Sequence, residues 1–219
     1  MTRNEPVLRA LSEFDDAIHS DGVAVFAGVD EAGRGPLAGS VYAGAVILLP
    51  GTEIPYLNDS KKLTEKRREQ LFDVICDTAV AVGIGEATVA EIEELNILNA
   101  AMLAMRRAVD NLHTKNGEQI IPELLLIDGD KARGFLQPAQ CVIGGDARSL
   151  SIAAASVLAK VSRDRSMISL AEVYPQYGFE KHKGYGTKAH YAALDTYGLT
   201  PAHRPSFLKK YFAARSAQN

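Results

Sequence analysis

Val23-Ala24-Val25-Phe26-Ala27-Gly28-Val29-Asp30-Glu31-Ala32-Gly33-Arg34-Gly35-Pro36 is the stretch on which the fold turns. Its first seven residues are apolar and rich in Val, as a buried strand is, and the run stops at two acids and a Gly/Pro turn. A second apolar segment, Ala38 to Leu49, follows at once. The connection is too short for the helical crossover that parallel neighbours need, so the two segments read as an antiparallel hairpin. Asn58 to Leu63 is a polar loop, and Thr64 with Glu65, Lys66 and Arg67 opens a helix whose apolar face is Leu71, Val74 and Ile75. Ala79 to Ile84 reads as a third strand. One helical region runs from Thr88 toward Asn116-Gly117, with Ile97, Ala101, Ala104, Ala108 and Leu112 at helical spacing. Leu124 to Ile127 is a short strand that stops at Asp128-Gly129, and Gln140 to Ile143 is another that stops at Gly144-Gly145-Asp146. Leu150, Ala154, Val157, Leu158 and Val161 mark an Ala-rich helix able to lie close on a sheet. Pro175, Gly178, Gly184, Gly186 and Pro201 break the remainder into short helices and loops. The expectation is an α/β fold with helices flanking the sheet.

The 219 residues are 47% hydrophobic and 23% charged, with no Trp, which excludes collagen, coiled coil and wholesale disorder. The longest apolar stretch, Val41 to Leu49, is far short of the roughly 20 residues of a membrane-spanning helix. Glu5, Glu13, Asp15 and Asp16 leave no room for a secretory signal, so the cytoplasm is the expected address. Cys76 and Cys141 lack metal-ligand spacing and read as packed thiols in a reducing compartment. The net charge of −3 is uneven: residues 160–219 hold ten Lys or Arg against four Asp or Glu, with nine of the fifteen aromatics. Basic side chains interleaved with aromatics suit phosphate contacts and stacking, or equally the core of a small helical subdomain.

Three separated strand or loop ends finish in acids: Asp30 with Glu31, then Asp128, then Asp146. Singly, each has a bland reading as turn or cap chemistry. Brought together by a sheet, four carboxylates need a counter-charge, and a hard divalent cation, Mg²⁺ or Mn²⁺, is the usual one. Two such ions about 3.5–4 Å apart suit in-line phosphodiester displacement by water. Asp164 is the rival fourth acid. A largely helical span from 146 to 164 would put the two on the order of 25 Å apart, so Asp164 reads as a salt-bridged surface residue. Gly33-Arg34-Gly35 fits a loop whose backbone can approach a sugar–phosphate chain and its 2′-hydroxyl. Lys61 and Lys62 are candidate phosphate contacts.

Gly28 to Gly39 closely resembles the opening signature of the bacterial ribonuclease HII family. Asn58-Asp59-Ser60-Lys61-Lys62-Leu63, Ile127-Asp128-Gly129, Gly145-Asp146, the run from Ala153 to Arg165, Lys183-Gly184-Tyr185-Gly186-Thr187 and His203-Arg204-Pro205-Ser206-Phe207 agree in order. The resemblance covers residues 23 to 208. It implies a ribonuclease H-like mixed β-sheet flanked by helices, with an extension at 1–22, a catalytic domain at 23–168 and a C-terminal helical substrate-binding extension at 169–219. It implies cleavage of the RNA strand of RNA–DNA hybrids and cutting at single ribonucleotides in duplex DNA. By similarity, Asp30, Glu31, Asp128 and Asp146 are metal-binding catalytic acids, Gly33, Arg34 and Gly35 read the 2′-hydroxyl, and Tyr185 packs against the neighbouring sugar. A monomer is expected, and no docking motif for a replication clamp is legible after Phe212. Two alternatives stand beside this reading: a metal-free ribonuclease built on His182, His190 and His203, and a nucleic-acid-binding module without catalysis.

Overall fold

A computed structural model describes residues 5–216. Five strands form one mixed sheet: β1 (Phe26–Ala32), β2 (Val41–Ile47), β3 (Ala81–Ala87), β4 (Leu124–Asp128) and β5 (Ala139–Val142), in the order β3-β2-β1-β4-β5. β1 and β2 form the expected antiparallel hairpin, β3 extends it antiparallel, and β4 and β5 add in parallel on the other side of β1. β1 starts and ends three residues later than its apolar run suggests, so Asp30 and Glu31 lie in the strand rather than in the turn.

The helices are α1 (Glu5–Ser20), α2 (Glu65–Thr78), α3 (Val89–Leu95), α4 (Ile97–Asp110), α5 (Leu150–Val173), α6 (Phe179–His182), α7 (Lys188–Tyr197) and α8 (Pro205–Ser216). The expected single helix from Thr88 is two. Asn96 takes a left-handed φ of 68°, and its Oδ1 accepts from the Leu98 and Asn99 amides, so one helix stops and a capped one begins. On α2, Leu71 and Ile75 are buried, but Val74 faces solvent. α4 packs its Ala100, Ala101, Ala104 and Ala108 on one face of the sheet against Val29, Val41, Ala43 and Ala45. α5 covers the other face with Ala153, Ala154, Ala155 and Val157. Small residues allow a close approach. A Cβ at Gly28 would fall 2.3 Å from the Ile152 nitrogen, so β1 can pass beneath α5 only with glycine there.

α1 is anchored to the start of α5. Asp15, buried, accepts from the Ser149 hydroxyl at 2.6 Å and from the Ser151 amide at 2.8 Å, while Ser149 caps the helix. The C-terminal helices gather around Leu37, Met167, Tyr177, Phe179, Leu194 and Leu208. The thiols are not a packed pair: Cys76 is half-buried and Cys141 is exposed on β5. Among the described residues no helix is long and apolar enough to cross a membrane.

Candidate active site

β1 and β4 end side by side. Their parallel register sets Val29 opposite Ile127, so Asp30 and Asp128 are the next residues on neighbouring strands. Side chains alternate along a strand, and Gly28 already faces α5, so Asp30 points the same way. There the α5 residue Ser156 hydrogen-bonds it, and its Oδ1 also accepts from the Glu31 amide at 2.7 Å. Glu31 pairs with Arg34, Nη1 to Oε1, at 3.0 Å. Asp128 Oδ1 accepts from the Gly145 amide at 2.7 Å, which draws the turn at Gly145–Ala147, and with it Asp146, to the end of β4. Asp146 does not cap α5, because Ser149 does. Its Oδ2 instead takes the Lys61 Nζ at 2.9 Å.

The four acids form one electrostatic unit. Burial, joined by the charges of Glu31 and Asp128, holds the Asp30 carboxyl well above the usual carboxylate range, and Asp30 is only 4% exposed. Burial raises Glu31 too, outweighing its Arg34 partner, and burial together with the Asp146 charge raises Asp128. Burial works against the Lys61 ammonium, yet the Asp146 bond and charge prevail and raise it. Lys61 and Arg34 thus supply, from the chain itself, part of the counter-charge the cluster requires. Both are long side chains more than half exposed, so both can withdraw. Buried, mutually repelling carboxylate oxygens are the donor set a hard divalent cation takes. Among the described residues, no three His, Cys, Asp or Glu side chains are placed so that they could hold a metal ion together as they stand.

Asp30, Glu31 and Asp128 line a cleft of about 230 Å³ with Lys61, Lys160, Arg163, Tyr185 and the Gly33-Arg34-Gly35 loop. Two buried arginines shape that loop. Arg204 donates to the carbonyls of Gly33 at 2.7 Å, Arg34 at 3.1 Å, Pro36 at 2.9 Å and Gly39 at 2.6 Å. Arg163 donates to Ala38 at 3.2 Å and to Lys183 at 3.0 Å, tying the loop to the segment that carries Tyr185. Gly33 has φ 102°, and a Cβ there would collide with the Arg163 side chain at 2.1 Å, so only glycine fits. Tyr185 is 46% exposed beside Gly35, with the Arg163 guanidinium 5.9 Å from its ring centroid.

The lysine pair divides. Lys61 reaches the cluster, whereas Lys62 is exposed and turns toward Asp59 at 3.9 Å. Asp164 is salt-bridged as expected but is not on the surface. It is 3% exposed and paired with Lys160 at 2.5 Å and Arg68 at 3.4 Å, fourteen residues into α5 and about 20 Å along it. Its flanking arginines are not its partners. The three C-terminal histidines are turned into the aromatic cluster of Tyr177 and Phe179, and none of them lines the cleft. Arg163, Arg204 and Lys160 carry no role in the sequence reading. They sit in the quoted motifs, but whether an arginine is buried on carbonyls or solvated leaves no mark in a single sequence.

The sequence model of the family described as Ribonuclease HII matches residues 27–214. Ribonuclease HII of Shewanella sp. strain MR-7 is 52% identical over 206 residues, covering 92% of this chain and 95% of that one. The ribonuclease H2 of Pyrococcus horikoshii OT3 superposes with a TM-score of 0.68 at 26% identity, covering 85% of this chain and 96% of its own. Bst-RNase HIII, solved in complex with Mn²⁺, shares the fold at a TM-score of 0.65 and 17% identity, over 90% of this chain and 72% of its own. Matched over most of its length by the family's sequence model and half identical to a relative of nearly equal extent, this chain belongs to the ribonuclease HII family and is a hydrolytic nuclease of the ribonuclease H type.

Proposed function

We propose that the chain cuts the RNA strand of RNA–DNA hybrids, and duplex DNA at single embedded ribonucleotides, using two Mg²⁺ or Mn²⁺ ions held by Asp30, Glu31, Asp128 and Asp146. The observation that carries this reading is the set of carboxylates at the adjoining ends of β1 and β4, whose pKa values are raised by burial first and by neighbouring carboxylate charges second. When bound, the ions would supply Lewis acidity at the attacking water and the leaving oxygen. The chain's own residues do the rest. Lys61, released from Asp146, becomes available to a phosphate oxygen. The Gly33-Arg34-Gly35 loop, its carbonyls turned onto Arg204, has its amides left to offer a 2′-hydroxyl. The exposed face of Tyr185 can lie against the adjoining sugar. The basic residues of 169–219 would grip the duplex without reading sugar identity.

The placement of His182, half-buried, and of His190 and His203, buried, speaks against metal-free cleavage through the 2′-oxygen, since none reaches the cleft. End-group analysis on a hybrid duplex tests the proposal. The expected products carry a 3′-hydroxyl and a 5′-phosphate, and excess EDTA abolishes their formation. A 2′,3′-cyclic phosphate, or undiminished cleavage in EDTA, would overturn it. Tyr185→Ala should lose about tenfold or more of its cleavage at a lone ribonucleotide, and less on all-RNA hybrid, where many registers offer productive contacts. Equal loss on both substrates would reduce Tyr185 to a general positioning residue.

A further inference from the structure

His190 and His203 are buried rings in an otherwise aromatic pocket, and their partners fix their tautomers. The Thr200 amide donates to His203 Nδ1 at 3.0 Å, so that nitrogen carries no proton and Nε2 carries it. His203 Nε2 lies 3.1 Å from His190 Nε2 and donates to it. The remaining proton of His190 is therefore on Nδ1, 3.0 Å from the Tyr185 carbonyl, which also accepts from the Thr187 amide at 2.8 Å. A chain of hydrogen bonds thus runs in one direction, from the Thr200 amide through two imidazoles to the main chain of Tyr185. His182 closes the other side: its ring stacks on His190 at 4.6 Å, its Nδ1 accepts from the Gly184 amide and its carbonyl accepts from the Tyr185 amide at 2.9 Å.

We propose that His190 and His203 are positioning residues for Tyr185: by holding its carbonyl they aim its exposed ring past Gly35, and so set discrimination at a lone ribonucleotide. The inference rests on the reading of Tyr185 as the sugar-contacting ring. The ring is half exposed, and a Cβ built at Gly35 would meet it only at ordinary contact distance, 3.7 Å. With the Arg163 guanidinium no nearer than 5.9 Å from its centroid, the ring takes its direction chiefly from the backbone. Two buried polar rings would be poor choices if packing against Tyr177 and Phe179 were their whole task, because each must find partners for both nitrogens.

The test is kinetic, on duplex DNA with one ribonucleotide and on all-RNA hybrid. His190→Ala should lose about tenfold in kcat/KM at the lone ribonucleotide and less on hybrid. His190→Asn, whose Nδ2 can stand where Nδ1 stood, should recover most of that loss. In a Tyr185→Ala background, His190→Ala should have no further effect. Equal loss on both substrates, or losses that multiply in the double variant, would assign His190 to packing and overturn the proposal. Should His190→Ala not fold, His203 decides: Gln keeps the Nε2 donor to His190 and should discriminate normally, whereas Asn keeps only the Thr200 acceptor and should not. The reverse order, or no difference, would overturn the proposal. If Tyr185→Ala itself shows no selective loss, the reading of Tyr185 fails separately, on a variant that leaves both histidines in place.

Discussion

At the scale of single residues, the acids of the cleft trade stability for chemistry. Asp30, Glu31 and Asp128 all have raised pKa values, with burial the leading cause in each. A carboxylate whose folded pKa is raised contributes stability below its unfolded pKa and loses it as pH rises through the folded one, so ionising these groups costs the metal-free protein stability. Asparagine removes the charge and keeps an oxygen to accept from the Glu31 or Gly145 amide. Asp30→Asn and Asp128→Asn should therefore fall below about a thousandth of the parent turnover. In the metal-free state they should gain about 1 kcal/mol, or about 2–4 °C in Tm at this chain length. Added Mn²⁺ should raise the parent's Tm more than theirs. Calorimetry with and without Mn²⁺ reads both effects, and a metal-free Tm that falls would show that these carboxylates support the fold.

At the scale of elements, β1 and β2 were legible because a buried strand announces itself as an apolar run, and the short connection excluded any pairing but antiparallel. The acids at strand ends were legible for the same reason. What escaped depends on partners distant in sequence. Asp164 meets Arg68 from 96 positions away, and Arg68 also donates to the carbonyls of Ser60 and Leu63. The Lys160–Asp164–Arg68 group therefore clamps α5, the start of α2 and the turn that presents Lys61. Asp164→Asn would leave two partly buried cations without their shared carboxylate. It should lose about 3 kcal/mol of stability, or about 6–12 °C in Tm, while each folded molecule keeps turnover within a few-fold of the parent. Thermal melts paired with activity below the transition separate the effects. A variant with parental Tm and no activity would move Asp164 into the chemistry. The break at Asn96 and the burial of Asp15 were equally silent, since a left-handed Asn and a carboxylate serving another helix leave no periodic trace.

At the scale of the whole molecule, the sheet and the C-terminal helices are joined at one seam. The Leu37 amide bonds the Gly184 carbonyl at 2.8 Å and the Gly39 amide bonds the Ala202 carbonyl at 2.8 Å, while Arg163 and Arg204 stitch both sides. The sequence marks the C-terminal segment by its basic and aromatic residues, but not that the glycine loop is folded around Arg204 of that segment and Arg163 of α5. The histidine cluster lies on the C-terminal side of this seam and makes it sensitive to acid. Burial, aided by the charge His190 would carry, lowers the His203 pKa to about 4, and burial lowers that of His190 as well. The groups facing them are His182 and Tyr177, with no carboxylate among the ring contacts to welcome an imidazolium. A histidine depressed on folding is neutral in the native state and charged in the unfolded one below about pH 6.5. Stability is therefore complete above that pH and falls as pH drops toward 4, with a slope of up to about 1.4 kcal/mol per pH unit for each histidine. Protonating His190 at Nε2 breaks the Nε2–Nε2 bond, and protonating His203 at Nδ1 sets a second donor against the Thr200 amide. Denaturant melts between pH 7 and 4.5 should show the parent losing stability steeply, and His203→Gln losing less. Parallel pH dependence in the two proteins would place the acid sensitivity elsewhere.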